Sequence, residues 1–293
     1  MGKGNASLNS AKRAKNDEFY TKKKDIESEL IHYHKHLKDK IVYCNCDDYR
    51  KSKFVEYFME NFDKIGLKKL ISTGFSKDGQ GTYSEYDGKV FKTGFLEGNG
   101  DALGEECTEI LKQVDVVVTN PPFSLFRKYV SHLMKYGKKF LIIGNKNAIT
   151  YKEIFPYIKD NELWLGITNP DEYRLPNGEI TQSVKGLCRW FTNIPHNRRN
   201  TPLELYKKYS ADEYPKYDNY DAIEVSKVSE IPMDYDGVIG VPITFLDKYC
   251  PTQFEIIKFR KGNDDKDLSV NGKCPYFRIL IRRKKAEPIV EVK

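Results

Sequence analysis

Val114-Asp115-Val116-Val117-Val118-Thr119-Asn120-Pro121-Pro122-Phe123 is the stretch whose reading decides the fold. The run from Val114 to Thr119 is apolar and β-branched, the signature of a buried strand. Two consecutive prolines then stop it, because neither donates to a ladder and both fix φ. The strand end therefore presents the amide of Asn120, a Pro121 carbonyl with no local partner, and the ring of Phe123.

Outward from this strand the chain alternates. Helices are expected over 25–37, 52–65, 104–114, 125–136 and 153–158, and strands over 40–46, 67–73, 115–119, 139–144 and 163–167. Residues 74–100 are Gly-rich and polar with alternation around 89–95, which suggests a hairpin or an exposed excursion. Strand–helix alternation predicts an α/β fold, a doubly wound Rossmann-like sheet, which binds ligands at the carboxyl ends of its strands. The unusual loops 45–48 and 120–123 lie at such ends. After about residue 170 the rhythm changes to short strands (184–191, 238–245, 254–259, 276–281) between polar loops. Three segments are expected: a basic arm (1–15), an α/β domain (16–170), and a smaller C-terminal part (171–293).

The 293 residues suffice for a full core, and the +7 net charge, 13% aromatic content and 20 tyrosines allow a polyanionic partner. Six scattered cysteines (44, 46, 107, 188, 250 and 274) read as core thiols rather than a disulfide or zinc framework. His32 and His36 share a face of the first expected helix, but without an accompanying metal motif they read as surface residues. Neither a bilayer-spanning run nor a signal peptide is evident, and Ala6 breaks a myristoylation pattern, so a cytoplasmic protein is expected.

The chemistry of the opening loop follows from its groups. The exocyclic nitrogen of adenine is a poor nucleophile because its lone pair is delocalised into the ring. Two acceptors, the Asn120 amide oxygen and the Pro121 carbonyl, can hold its two hydrogens so that the lone pair localises. An aromatic ring at 123 can stack on the base. This is positioning and electrostatic preorganisation, and it requires no strong base. Asp47, and Asp101 within Gly98-Asn99-Gly100-Asp101, are carboxylates suited to the hydroxyls and amines of a methyl donor. The absence of a GxGxxG or Walker loop argues against dinucleotides and ATP.

Asn16-Asp17-Glu18-Phe19-Tyr20-Thr21, Tyr43-Cys44-Asn45-Cys46-Asp47-Asp48, Asp115 to Phe126, and Gly240-Val241-Pro242-Ile243-Thr244-Phe245-Leu246-Asp247 together resemble the EcoRI-type adenine-specific DNA methyltransferases. The resemblance runs from about residue 16 to 260. It implies a class I methyltransferase sheet that uses S-adenosylmethionine to make N6-methyladenine in DNA. It implies that Asn120, Pro121, Pro122 and Phe123 form the catalytic motif. Phe19, Tyr20 and Thr21 would cradle the methionine part of the cofactor, Asn45, Asp47 and Asp48 would form the first-strand motif, and Asp101 would contact the cofactor adenine. The sequence departs from the general pattern in lacking a Gly-x-Gly turn after Cys46.

The C-terminal part would then carry target recognition. Arg198 and Arg199, in Asn197 to Asn200, and Lys207 and Lys208, between Tyr206 and Tyr209, mix cations with amides and aromatics as DNA-binding surfaces do. The expected partner is duplex DNA, with the target adenine flipped out of the stack. A monomer is expected, belonging either to a restriction-modification pair with a cognate endonuclease or to an orphan enzyme. Two other readings stay open: transfer to an RNA base or a protein glutamine, and a DNA-binding protein that kept the fold but lost catalysis.

Overall fold

Runs such as Val116-Val117-Val118 lack polar alternation because both faces of their strands are covered. The computed structural model describes residues 20–170, 173–174, 180–181 and 186–284. The expected arm at 1–15 and Phe19 lie outside the described residues. The chain divides into two compact units, one running to Ile154 and adding Leu163–Ile194, the other combining Phe155–Glu162 with Pro195 onward.

The first unit is built on eight strands: β1 (Ile41–Cys44), β2 (Lys69–Gly74), β3 (Thr82–Tyr86), β4 (Phe91–Phe95), β5 (Val116–Thr119), β6 (Lys139–Asn145), β7 (Trp164–Leu165) and β8 (Cys188–Thr192). Their order is β4-β3-β2-β1-β5-β6-β8-β7. The central four, β2, β1, β5 and β6, run parallel. The expected hairpin forms one antiparallel edge, β3 and β4, and β8 with β7 forms the other. A separate three-stranded ribbon pairs Tyr20–Thr21 with Tyr173–Arg174, and that strand with Ile180–Thr181.

Helices close both faces. α1 (Lys23–Leu30), α2 (His34–Leu37), α3 (Lys53–Glu60) and α4 (Phe62–Ile65) contribute Ile26, Leu30, Leu37, Phe54 and Phe58 to a core against Val42, Leu70, Val116, Val118, Leu141 and Trp190. Between β4 and β5 comes α5 (Glu105–Gln113), and between β5 and β6 comes α6 (Phe126–Lys135), which buries Phe126, Tyr129, Val130 and Leu133. Gly144 on β6 must be glycine, because a Cβ there would lie 2.4 Å from the Phe126 ring.

Three expectations are corrected. The single helix at 25–37 is two, because the chain tightens after Leu30 into i→i+3 bonds from His32 to Glu29 and from Tyr33 to Leu30. The break still lets the Tyr33 hydroxyl donate to Glu29 at 2.9 Å. That buried carboxylate also accepts the Ile167 and Thr168 amides at 2.8 and 2.6 Å, tying the loop after β7 to α1. The boundary expected at 170 falls instead at Ile194. The reason is β8, which pairs along its length with β6 and so extends the first sheet. The stretch Phe155–Glu162, expected within the first domain, belongs to the second unit.

The second unit carries α7 (Phe155–Lys159) and four strands, β9 (Ala222–Glu224), β10 (Val238–Pro242), β11 (Phe254–Phe259) and β12 (Arg278–Arg283), in the order β9-β10-β12-β11. Its apolar cluster includes Tyr217, Ala222, Val238, Leu268 and Leu280. Glu224 is buried there against Arg278, whose Nε and Nη2 donate to Oε1 at 2.8 and 2.6 Å. Tyr217 also donates its hydroxyl to Glu224, and burial, reinforced by that carboxylate, keeps the phenol protonated.

Among the described residues no helix is long and apolar enough to cross a membrane, and no group of His, Cys, Asp or Glu is arranged to hold a metal. All six cysteines are free thiols.

Candidate active site at the carboxyl ends of the central strands

From β1 the chain turns to β2 on one side and later arrives at β5 on the other. The carboxyl ends of β1 and β5 therefore flank a topological switch point, where open α/β sheets leave a crevice. A cavity of about 410 Å³ opens there, within the range of small-molecule sites. Thr21, Asn45, Asp47, Asp48, Asp101, Asn120 and Pro122, chosen from distant parts of the sequence, all line it.

The loop after β1 is held by side chains as well as by its backbone. The Asp47 amide donates to the Thr73 carbonyl at 2.9 Å, anchoring the loop to β2. Its carboxylate accepts the Ser52 hydroxyl on one oxygen and the Thr119 hydroxyl on the other. Ser52 is also the N-cap of α3, accepting the Phe54 and Val55 amides. One buried carboxylate thus joins β1, the start of α3 and the end of β5. Asp48 instead clamps Arg50, accepting Nε at 2.9 Å and Nη2 at 2.7 Å. Burial alone would raise the Asp48 pKa, but the hydrogen bonds and charge of Arg50 outweigh it and hold the carboxyl below its ordinary value.

Asn45 is 1% exposed. Its Oδ1 accepts the hydroxyl of Tyr129 on α6, a phenol that burial holds protonated. This orients the amide, and the buried Nδ2 has no hydrogen-bond partner among the described residues. A buried donor without an acceptor costs about 1–3 kcal/mol, so a cavity-lining amide in this state suits a ligand oxygen. The opposite polarity comes from Asp101 at the rim. Its Oδ1 accepts the Leu103 amide at 3.0 Å, and the residue is exposed.

The glycines missing after Cys46 are replaced by three others. A Cβ at Gly74 would lie 2.7 Å from the Asp48 Cα, one at Gly81 would lie 2.6 Å from the Gly100 Cα, and one at Gly100 would lie 2.4 Å from the Gly74 carbonyl oxygen. Gly100 also has φ +79°, where a side chain is strained. Close backbone approach therefore brings the end of β2, the start of β3 and the Asp101 loop together beside the cavity.

At the end of β5, the Asn120 Nδ2 donates to the Thr21 hydroxyl at 3.3 Å. The N-terminal motif and the Asn-Pro-Pro-Phe loop are thereby linked side chain to side chain, and the amide oxygen of Asn120 is turned away from Thr21. The Pro121 carbonyl receives no hydrogen bond among the described residues, whereas those of Pro122 and Phe123 accept the Leu125 and Phe126 amides that lead into α6. Phe123 is half-buried and packs against the core of the first unit rather than lining the cavity. Tyr20 enters the ribbon through its backbone.

In the second unit, Arg198 and Arg199 sit half-buried in a 3-10 turn, Asn197–Asn200, and Lys207 and Lys208 are exposed on an extended stretch. Sequence reasoning missed Cys46, Lys51, Ser52, Phe54, Phe75, Ala102 and Leu125, which also line the cavity. Of these, only Ser52 had a local signal, as a helix start before an apolar run. Burial and the neighbouring Asp47 raise the Cys46 pKa, so the cavity holds a thiol rather than a thiolate.

A parallel sheet flanked by antiparallel edges, with a donor-lined cavity at the switch point and Asn-Pro-Pro-Phe on the adjoining strand end, defines a class I methyltransferase. Comparison with known proteins sharpens the class. The model of the family described as "Adenine-specific methyltransferase EcoRI" matches residues 7–95 and 84–284. The type II methyltransferase M.EcoRI of Escherichia coli is 50% identical, across 97% of this chain and 98% of its own length. M.MgeORF184P of Mycoplasma genitalium and M.MpnI of Mycoplasma pneumoniae, also type II methyltransferases, are 40% and 38% identical over 94% of this chain and 98% of theirs. No solved structure matches. The chain belongs to the EcoRI family of adenine-specific methyltransferases.

Proposed function

We propose that this chain transfers a methyl group from S-adenosylmethionine to N6 of an adenine flipped out of duplex DNA. The observation that carries this is the Asn120 amide, tethered by Thr21 at the carboxyl end of β5 and opening into the switch-point cavity. The relatives' designation as type II methyltransferases favours a restriction-modification role, beside a cognate endonuclease, over an orphan one. We read the active form as a cytoplasmic monomer.

The cavity fits the cofactor's chemistry. The Asn45 Nδ2 offers an N–H donor to a carboxylate. Asp101 offers an acceptor to an adenine amine, and Phe54, Phe75 and Leu125 supply apolar wall. Asp47, which accepts the Ser52 and Thr119 hydroxyls, adds a carboxylate to the same wall. When bound, S-adenosylmethionine supplies a methyl group already activated by its sulfonium.

The remaining work is positional. Asn120 Oδ1 and the Pro121 carbonyl accept the two N6 hydrogens and localise the nitrogen lone pair for attack on the methyl carbon. The proton lost after transfer leaves through one of these hydrogen bonds to water. Phe123, fixed by its packing against the core, stacks on the extruded base. Pro121 and Pro122 hold the loop extended, so little entropy is lost on binding. Arg198, Arg199, Lys207 and Lys208 contact phosphates and position the duplex.

The test is incubation with methyl-labelled S-adenosylmethionine and unmethylated duplex DNA, RNA or protein. Label recovered as N6-methyladenine from the duplex supports the reading. Label in RNA or protein alone, or none at all, contradicts it.

A further inference from the structure

The second unit holds an aromatic arrangement that core packing does not explain. Tyr276 is 68% exposed, yet its ring is stacked on Phe277 with centroids 4.8 Å apart and planes at 26°. Phe277 meets Phe259 edge-on at 5.7 Å, and Phe259 meets Phe155 at 5.1 Å, so the exposed ring ends an aromatic row rooted in the unit. The Arg260 guanidinium lies 4.7 Å from the Phe277 ring centre.

The backbone beneath Tyr276 is also fixed. Its carbonyl accepts Arg278 Nη1, and the same guanidinium grips the buried Glu224. A buried ion pair is a costly way to gain stability, and it is better explained by what it holds in place. Here it holds the backbone of a solvent-facing aromatic. The surrounding chain is basic: residues 254–284 contain nine Lys or Arg against four Asp or Glu.

We infer that Tyr276 is a stacking platform for a nucleobase of bound DNA, with the net positive charge of this stretch drawing in the phosphates. Proteins hold unstacked bases on an open aromatic face beside cations, and every base offers a π-face to such a site. A base-flipping enzyme creates unstacked bases as it works. Tyr206 is still more exposed, at 73%, but its hydroxyl is bound to Glu204, an acid that repels phosphate. The inference rests on the DNA-methylation reading and names a contact within it.

The test uses the full chain and a fluorescent duplex, with binding read by anisotropy and folding by thermal melting. Tyr276→Ala should melt like wild type and weaken binding about 10- to 100-fold, while Tyr276→Phe stays within about twofold. The salt dependence of binding should keep its wild-type slope in Tyr276→Ala, because no phosphate contact is removed. Wild-type affinity in Tyr276→Ala, or an equal loss in Tyr276→Phe, overturns the inference. So does loss of self-association in Tyr276→Ala at unchanged DNA affinity, which would make this face a contact between copies. In each of those cases, wild-type methylation of duplex adenine leaves the functional reading standing. A wild-type chain that neither binds nor methylates DNA overturns both.

Discussion

The two units treat a buried carboxylate in opposite ways. In the first, Asp47 accepts the hydroxyls of Ser52 and Thr119, one on each oxygen. In the second, Glu224 is clamped by the Arg278 guanidinium and capped by Tyr217. The difference follows from what each must do. Asp47 ties the end of β1, the start of α3 and the end of β5 together beside the cavity. A carboxylate that props a surface strand is best neutralised and locked. Asp48, one residue from Asp47, is instead clamped on Arg50, as Glu224 is on Arg278.

This contrast can be broken from either side. The largest expected effect lies at the Asn-Pro-Pro-Phe loop, where Asn120→Ala should lower kcat about 100- to 1,000-fold while duplex binding persists. Turnover within a few-fold of wild type would remove Asn120 from its assigned role. Next, Arg278→Ala should leave Glu224 buried without its partner and cost about 3–5 kcal/mol in chemical denaturation. The matched change in the first unit, Asp47→Asn, should cost less in folding but weaken cofactor affinity about tenfold by calorimetry, ~1.4 kcal/mol. Equal cofactor loss from Glu224→Gln would erase the distinction between the two carboxylates. Tyr129→Phe should be milder, costing about 1 kcal/mol in stability and raising the KM for the cofactor, since Asn45 loses the donor that orients it.

The smallest effect concerns pH. The Asp48 pKa is depressed in the folded protein, so its pairing with Arg50 is stabilising above the ordinary carboxylate value of about 3.9. That contribution fades as pH falls below this value through the lower folded pKa. Asp48→Asn should therefore flatten the acid limb of a stability–pH curve and leave the neutral region's slope unchanged. A change of slope near neutrality would rule out this assignment.

The sheet was legible in the sequence because its central strands are apolar on both faces, and the turn chemistry at Asn120-Pro121-Pro122 marks the strand end without any tertiary information. The same reading misplaced β8. Its residues, Cys188 to Thr192, follow a largely polar stretch of sequence, and only pairing with β6, more than 40 residues earlier, assigns them to the first sheet. The cavity was half legible. Asn45, Asp47 and Asp101 stand out as polar residues at strand ends, but Phe75 and Lys51 carry no local mark. The orientation of Asn45 depends on Tyr129, 84 positions away. The lost Gly-x-Gly turn is intelligible only in space, where Gly74, Gly81 and Gly100 meet. Tyr276 gave no signal at all, since its exposure and its stack on Phe277 exist only in the folded chain.

The most direct measurement is single-base mapping of modified adenines in DNA from a methylation-deficient host expressing either the wild-type chain or Asn120→Ala. The account predicts N6-methyladenine at one recurring sequence with the wild-type chain and unmodified DNA with the variant. Unmodified DNA from the wild-type culture, or equal methylation from Asn120→Ala, would contradict it.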